Sequence, residues 1–112
     1  MDDRVKELDP ATAKAWLDKD EAILVDVREK SEFEEESIPG AHLRPLSTFN
    51  PFELPKAEGR KLILHCAIGQ RSLQAAELCL AAGIGELAHL TGGIQAWKEA
   101  GLETKKRSGG GD

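Results

Sequence analysis

The stretch "KLILHCAIGQRSLQAAELCLAAG", residues 61–83, decides how this chain is read. It opens on an apolar run of strand length, "KLILHC" (61–66), and turns through a short loop containing Gly69. It closes on "RSLQAAELCLAAG" (71–83), an Ala- and Leu-rich helix with Leu73, Ala76 and Leu80 on one face and Gly83 as its stop. The thiol of Cys66 therefore sits at the end of a strand, in a tight turn, at the mouth of a helix. A free thiol with a pKa of about 8.5 is only a few per cent ionised at neutral pH. A helix start offers unpaired N–H groups and roughly half a positive charge, and a loop curled around the sulfur adds further N–H donors. Gly69 permits that curl, and Arg71 adds a full positive charge. All of these favour a thiolate.

Outward from this stretch, strands and helices alternate. "VKEL" (5–8) reads as a short strand, and Asp9 and Pro10 cap and open a helix over "ATAKAWLDK". "AILVDV" (22–27) is a second apolar, β-branched run of the kind buried on both faces. Ser31 and Glu34 have capping-box spacing and predict a short acidic helix, which "SIPGA" breaks. "HLRPL" (42–46) reads as a brief strand, and "STFNPFELPKAEG" (47–59) as loop with one helical turn. "ELAHL" (86–90) is a last strand, and "GGIQAWKEAG" (92–101) a closing helix stopped by Gly101. The pattern predicts an α/β domain with a parallel sheet covered on both faces. Ligands bind such sheets beyond the carboxyl ends of the strands, where Asp26 and Cys66 both fall. Residues 1–104 are expected to form the domain and the tail 105–112 to be disordered, since "KKRSGGGD" holds no core-forming residue.

Composition bounds the function. With 112 residues, 40% of them hydrophobic and 31% charged, the chain is one ordinary globular domain. A formal net charge of −5 argues against nucleic acid or an anionic membrane as partner. The acidic run "EKSEFEEES" reads as a solvated helix face. No stretch reaches the length of a membrane span, and "MDDRVKELDP" lacks the order of a signal peptide. The expected location is therefore cytoplasmic, where Cys66 and Cys79 stay unpaired. No spacing of Cys and His fits a metal site.

Three segments together resemble a single rhodanese domain, the sulfurtransferase family, from about Leu8 to Leu102: "LVDVREKSEFEEESIPGA" (24–41), "CAIGQRS" (66–72) and "GGIQAW" (92–97). The resemblance implies a rhodanese-like central parallel sheet of about five short strands with helices on both faces. It also implies double displacement. The Cys66 thiolate takes the outer sulfur of thiosulfate or a persulfide donor, and a thiol or cyanide acceptor then removes it. Backbone N–H groups from Ala67, Ile68, Gly69, Gln70, Arg71 and Ser72 would hold the persulfide, and Arg71 would orient the donor's charge. Small-molecule donors and acceptors are implied, and a protein persulfide partner fits as well.

Cys-dependent phosphatases on this fold carry five residues between Cys and Arg, whereas Cys66 and Arg71 enclose four. That disfavours a phosphatase or arsenate reductase, the enzymatic alternative. A non-catalytic sulfur carrier or partner-binding module is the other, disfavoured by the intact Cys66 loop. Ala67, Ile68 and Gln70 are neutral where some thiosulfate-using members are basic, and Ser37 stands where a histidine is common. Asp26 and Arg28 match the family motif and read as supporting residues, with Arg28 facing Glu32. His65 points away from Cys66 by strand alternation, Cys79 and Trp97 read as core, and His42 and His89 carry no pattern.

Overall fold

The computed structural model describes residues 4–107. Eleven elements follow one another: β1 (Val5–Leu8), α1 (Pro10–Asp18), β2 (Ala22–Asp26), α2 (Lys30–Glu35), β3 (Glu36–Ser37), β4 (His42–Leu43), β5 (Lys61–His65), α3 (Gln70–Ala81), β6 (Leu87–Leu90), α4 (Gly93–Glu99) and β7 (Lys105–Lys106). Five strands form a sheet in the order β1-β6-β5-β2-β4, and every neighbouring pair is parallel. β3 and β7 pair antiparallel as a separate two-stranded ribbon.

The period-2 pattern of the central strands explains the layers. Ile23, Val25, Leu62 and Leu64 face Ala75, Ala76 and Cys79 of α3. Their neighbours Ala22, Leu24 and Ile63 face Ala13 of α1 and Ile94 and Trp97 of α4. Helices thus cover both faces of a five-stranded parallel sheet, as the resemblance implied. β2 is buried at all five positions, which is why its sequence is an unbroken apolar run ended by Asp26. The connection after β2 leads toward β4 on one side, and that after β5 toward β6 on the other. Their divergence makes the carboxyl ends of β2 and β5 the switch point at which such sheets bind ligands.

Asp9 caps α1 as read, its Oδ1 accepting from the Thr12 N–H at 2.8 Å. The cap of α2 is displaced by two residues. The helix begins at Lys30, so Ser31 is already inside it, and Glu32 Oε1 accepts from the Glu29 N–H at 2.9 Å in place of the expected Ser31–Glu34 pair. The strand read over "HLRPL" shrinks to His42–Leu43, and the loop after it contains two single 3₁₀ turns, at Leu46–Thr48 and Pro51–Glu53. The buried face of α3 is Ser72, Ala75, Ala76 and Cys79. Leu73 and Leu80 flank it, half-buried.

The start of the tail departs from the expected disorder. Lys105 and Lys106 pair with Ser37 and Glu36, and the Arg107 N–H bonds the Glu35 carbonyl at 2.9 Å. Ion pairs fix the same ribbon, Lys98–Glu36 at 2.8 Å and Arg107–Glu35 at 2.9 Å. The backbone ladder, the Thr104 hydroxyl bonded to Glu36 and the Arg107–Glu35 pair hold this strand without apolar side chains. The rest of the expected disordered tail, residues 108–112, lies outside the described residues.

Trp97 anchors α4. It is buried, and its indole Nε1–H donates to the Glu103 carbonyl at 2.8 Å. Trp97→Ala should cost about 3–5 kcal/mol, the usual range for truncating a buried aromatic, read as a lowered denaturant midpoint in equilibrium unfolding.

Candidate active site

Cys66 follows β5 directly and is 1% exposed. Its Sγ accepts from the Gly69 N–H at 3.0 Å and the Ser72 N–H at 3.3 Å, and lies 3.6 Å from Ser72 Oγ. Gly69 has a φ of +107°, a value L side chains rarely adopt, so glycine makes this curl possible. α3 begins at Gln70. Gln70, Arg71 and Ser72 are therefore its first turn, and Cys66–Gly69 is the loop proper. The helix start aims its unpaired N–H groups toward the sulfur.

The loop is held from its other side. The Ile94 N–H donates to the Cys66 carbonyl at 2.9 Å, and the Gln95 N–H to the Ala67 carbonyl at 3.1 Å. A Cβ at Gly93 would collide with those two carbonyl oxygens. This close approach explains the second glycine of "GGIQAW".

Arg71 is not a free cation. Its guanidinium forms a two-point pair with Glu32 of α2, at 2.7 and 2.9 Å. The Arg71 hydrogen bond holds the Glu32 carboxyl at about 2, against an ordinary 4.5. The sequence reading paired Glu32 with Arg28. Arg28 instead bonds Asp26 through Nε and Nη2, at 2.9–3.1 Å, and the Glu36 carbonyl. The short turn from β2 brings Arg28 back onto Asp26 and leaves Glu32 for the helix opposite. Asp26 and Cys66 do share one sheet edge. Asp26, however, is in register with His65 and lies with it on the face away from Cys66.

His65 is fully buried. Its Nδ1 is 3.2 Å from the Cys66 carbonyl, and its Nε2 is 3.4 Å from Asp26 Oδ2 without hydrogen-bond alignment. Burial lowers its pKa, against the pull of Asp26. Cys79 is buried in the core under α3, and burial pushes its thiol up to about 11. Among the described residues, a cavity of about 530 Å³ lies beside α2 and the β3–β7 ribbon, and another of about 610 Å³ at the amino-terminal edge of the sheet. Among the described residues no cluster of His, Cys, Asp and Glu could hold a metal.

Two functional candidates escaped the sequence reading. Glu32 is the partner of Arg71. His89 lies beneath α3, its Nδ1 3.1 Å from Ser72 Oγ. The structure puts His89 at the penultimate place of the strand beside β5, in register with Leu64, an adjacency that no local sequence signal gives.

The fold and this site define a class: a parallel α/β domain carrying a recessed thiol in an amide-lined loop at the carboxyl edge of its sheet. The chain belongs to the rhodanese-like domain family, whose pattern matches residues 9–100. It is 45% identical over 97 residues to the uncharacterized protein slr1261 of Synechocystis, covering 87% of this chain and 54% of that one. The chain thus spans about half that relative's length. A sulfurtransferase of Allochromatium vinosum is 35% identical over 104 residues, with 88% of this chain and 92% of that one covered. The human single-domain sulfurtransferase TSTD1 superposes with a TM-score of 0.71 at 28% identity, covering 83% of this chain and 95% of that one.

The lowered Glu32 value carries a pH dependence. Stability from the Arg71–Glu32 pair is fully present above 4.5 and is lost as the pH falls toward about 2. Solvent screening keeps it below about 1 kcal/mol. In urea unfolding, wild type should exceed Glu32→Gln by that margin near neutrality, and the gap should close as the pH approaches about 2.

Proposed function

We propose that this chain is a sulfurtransferase that carries a sulfane sulfur on Cys66. The observation that supports it most directly is the pair of amide donors, from Gly69 and Ser72, directed at a recessed sulfur beside a helix start. Such donors favour a thiolate, and equally the charge of a persulfide. In the first half-reaction the Cys66 thiolate attacks the donor's outer sulfur. A new S–S bond forms, the donor's own S–S bond breaks, and the leaving group departs with the electron pair. In the second, an acceptor thiolate or cyanide attacks that outer sulfur and the Cys66 thiolate leaves. Both steps are displacements at sulfur and need neither metal nor organic cofactor. A reducing cytoplasm suits a cycle that begins and ends on a free thiol.

The donor follows from the charge at the mouth. Ala67, Ile68 and Gln70 are neutral, Arg71 is neutralised by Glu32, and Ile68 is 60% exposed. This surface suits a persulfide of low charge, on a small thiol or on a partner protein, better than the thiosulfate dianion. A phosphate dianion meets the same obstacle, which disfavours the phosphatase reading.

Incubation with a persulfide donor should add one sulfur to the intact mass, mapped to Cys66. Cys66→Ser should abolish the gain and Cys79→Ser should keep it. Sulfur found on Cys79, or none in wild type, would refute the reading.

With thiosulfate, Glu32→Gln should release Arg71 and raise kcat/KM by about two- to fivefold, mainly through KM, as expected for one solvent-screened ionic contact worth up to about 1 kcal/mol. The gain should shrink as salt is added. An unchanged or lower value would show that Glu32 does not restrain Arg71 toward anions.

A further inference from the structure

His89 is a buried titratable group that the chemistry above leaves without a task and that touches the Cys66 loop through Ser72. It is 3% exposed. Strand alternation gives it the face of Leu87, which belongs to the layer containing Cys66. A Cβ at Gly69 would stand 3.8 Å from its ring, so the imidazole lies directly under the loop. Its Nδ1 is 3.1 Å from Ser72 Oγ, and its Nε2 is buried without a hydrogen-bond partner.

We propose that His89 is a positioning residue whose Nδ1–H, by bonding Ser72 Oγ, keeps the Ser72 hydroxyl available as a donor to the charged Cys66 sulfur. The inference rests on Cys66 being the reactive thiol. Ser72 Oγ has one proton and two lone pairs. In the thiol state the two lone pairs accept from Cys66 S–H at 3.6 Å and from His89 at 3.1 Å, and the hydroxyl donates to the Gly69 carbonyl at 3.1 Å. When Cys66 gives its proton to solvent, one lone pair is released. The hydroxyl then turns from Gly69 to the sulfur, which gains a third donor beside the Gly69 and Ser72 amides. His89 keeps its bond throughout, so Ser72 does not present both lone pairs to the sulfur. Only the S–H bond breaks, and no electron changes carrier.

Burial decides the tautomer. An imidazolium, or a neutral ring protonated at Nε2, would leave a buried N–H without an acceptor, whereas a proton on Nδ1 leaves only a bare lone pair. Burial also lowers the His89 pKa, opposed by Glu7 across the β1–β6 ladder. Around Cys66 the other charges are closed pairs, Arg71 with Glu32 and Asp26 with Arg28, and His65 turns to the opposite face. Replacing His89 therefore alters a donor and leaves net charge unchanged.

The test is the pH dependence of Cys66 alkylation by iodoacetamide, followed by peptide mapping. His89→Leu should raise the midpoint by about one pH unit, read as a roughly tenfold slower alkylation at pH values below it. His89→Asn, whose amide can donate from the place of Nδ1, should restore most of it. In a Ser72→Ala background His89→Leu should add nothing. Nitrogen-15 spectra of the wild type should show His89 protonated on Nδ1 and bare at Nε2, a readout that requires no variant. An Nε2-protonated ring, an unshifted His89→Leu midpoint, or an equal shift without the Ser72 hydroxyl would overturn the proposal. If wild type takes up no sulfur, the functional reading fails while the spectra and the alkylation profile still decide the role of His89.

Discussion

The Cys66 loop turns its amides inward only because its carbonyls are bonded elsewhere. A peptide curled tightly enough to direct two N–H groups at one sulfur must point oxygens the other way, and buried oxygens need partners. Ile94 and Gln95 supply them from the first turn of α4. The loop thus lies between two helix starts. α3 continues from it, and α4 accepts its back. Gly93 sets the closeness of this stack, so the positions of Cys66 and of the closing helix cannot be separated.

Charge is treated the same way throughout the site. Asp26, buried at the end of β2, is neutralised by Arg28 and takes that residue's backbone N–H at 2.8 Å. A buried carboxylate without such partners would be costly, and this one fixes the path of the chain as it leaves the sheet. Arg71 and Glu32 repeat the device nearer to solvent, joining α2 to α3. What remains to act on the sulfur are neutral dipoles: amides, one hydroxyl and one imidazole. Such groups stabilise an anion at a fixed place without attracting anions in general.

How much of this the sequence disclosed depends on how far apart the partners stand. The strand–loop–helix around Cys66 was legible because its signals are contiguous: an apolar run, a glycine, then helical periodicity. The parallel sheet followed from the alternation of elements, and the Asp9 cap from three neighbouring residues. Contacts between distant segments were not legible. Glu32 and Arg71 are 39 residues apart, and local spacing offered Arg28 as a nearer and incorrect partner. The Ser72–His89 bond joins α3 to β6, and nothing about an isolated histidine predicts it. Lys105 and Lys106 looked like tail because strand signals are apolar, whereas their pairing depends on Glu35 and Glu36, some 70 positions earlier.

The recess of Cys66 has a consequence for the geometry of approach. A thiol 1% exposed presents little of its surface, so slender reactants reach it more readily than bulky ones. The outer sulfur of a persulfide is terminal and unbranched, whereas tetrahedral phosphorus carries substituents on every side. On the proposed cycle the same enclosure would act after transfer. Displacement at sulfur proceeds in line with the bond that breaks, so a recessed outer sulfur would favour an acceptor arriving along that axis. Depth would thus bias both which electrophiles react and the angle at which the second reactant arrives.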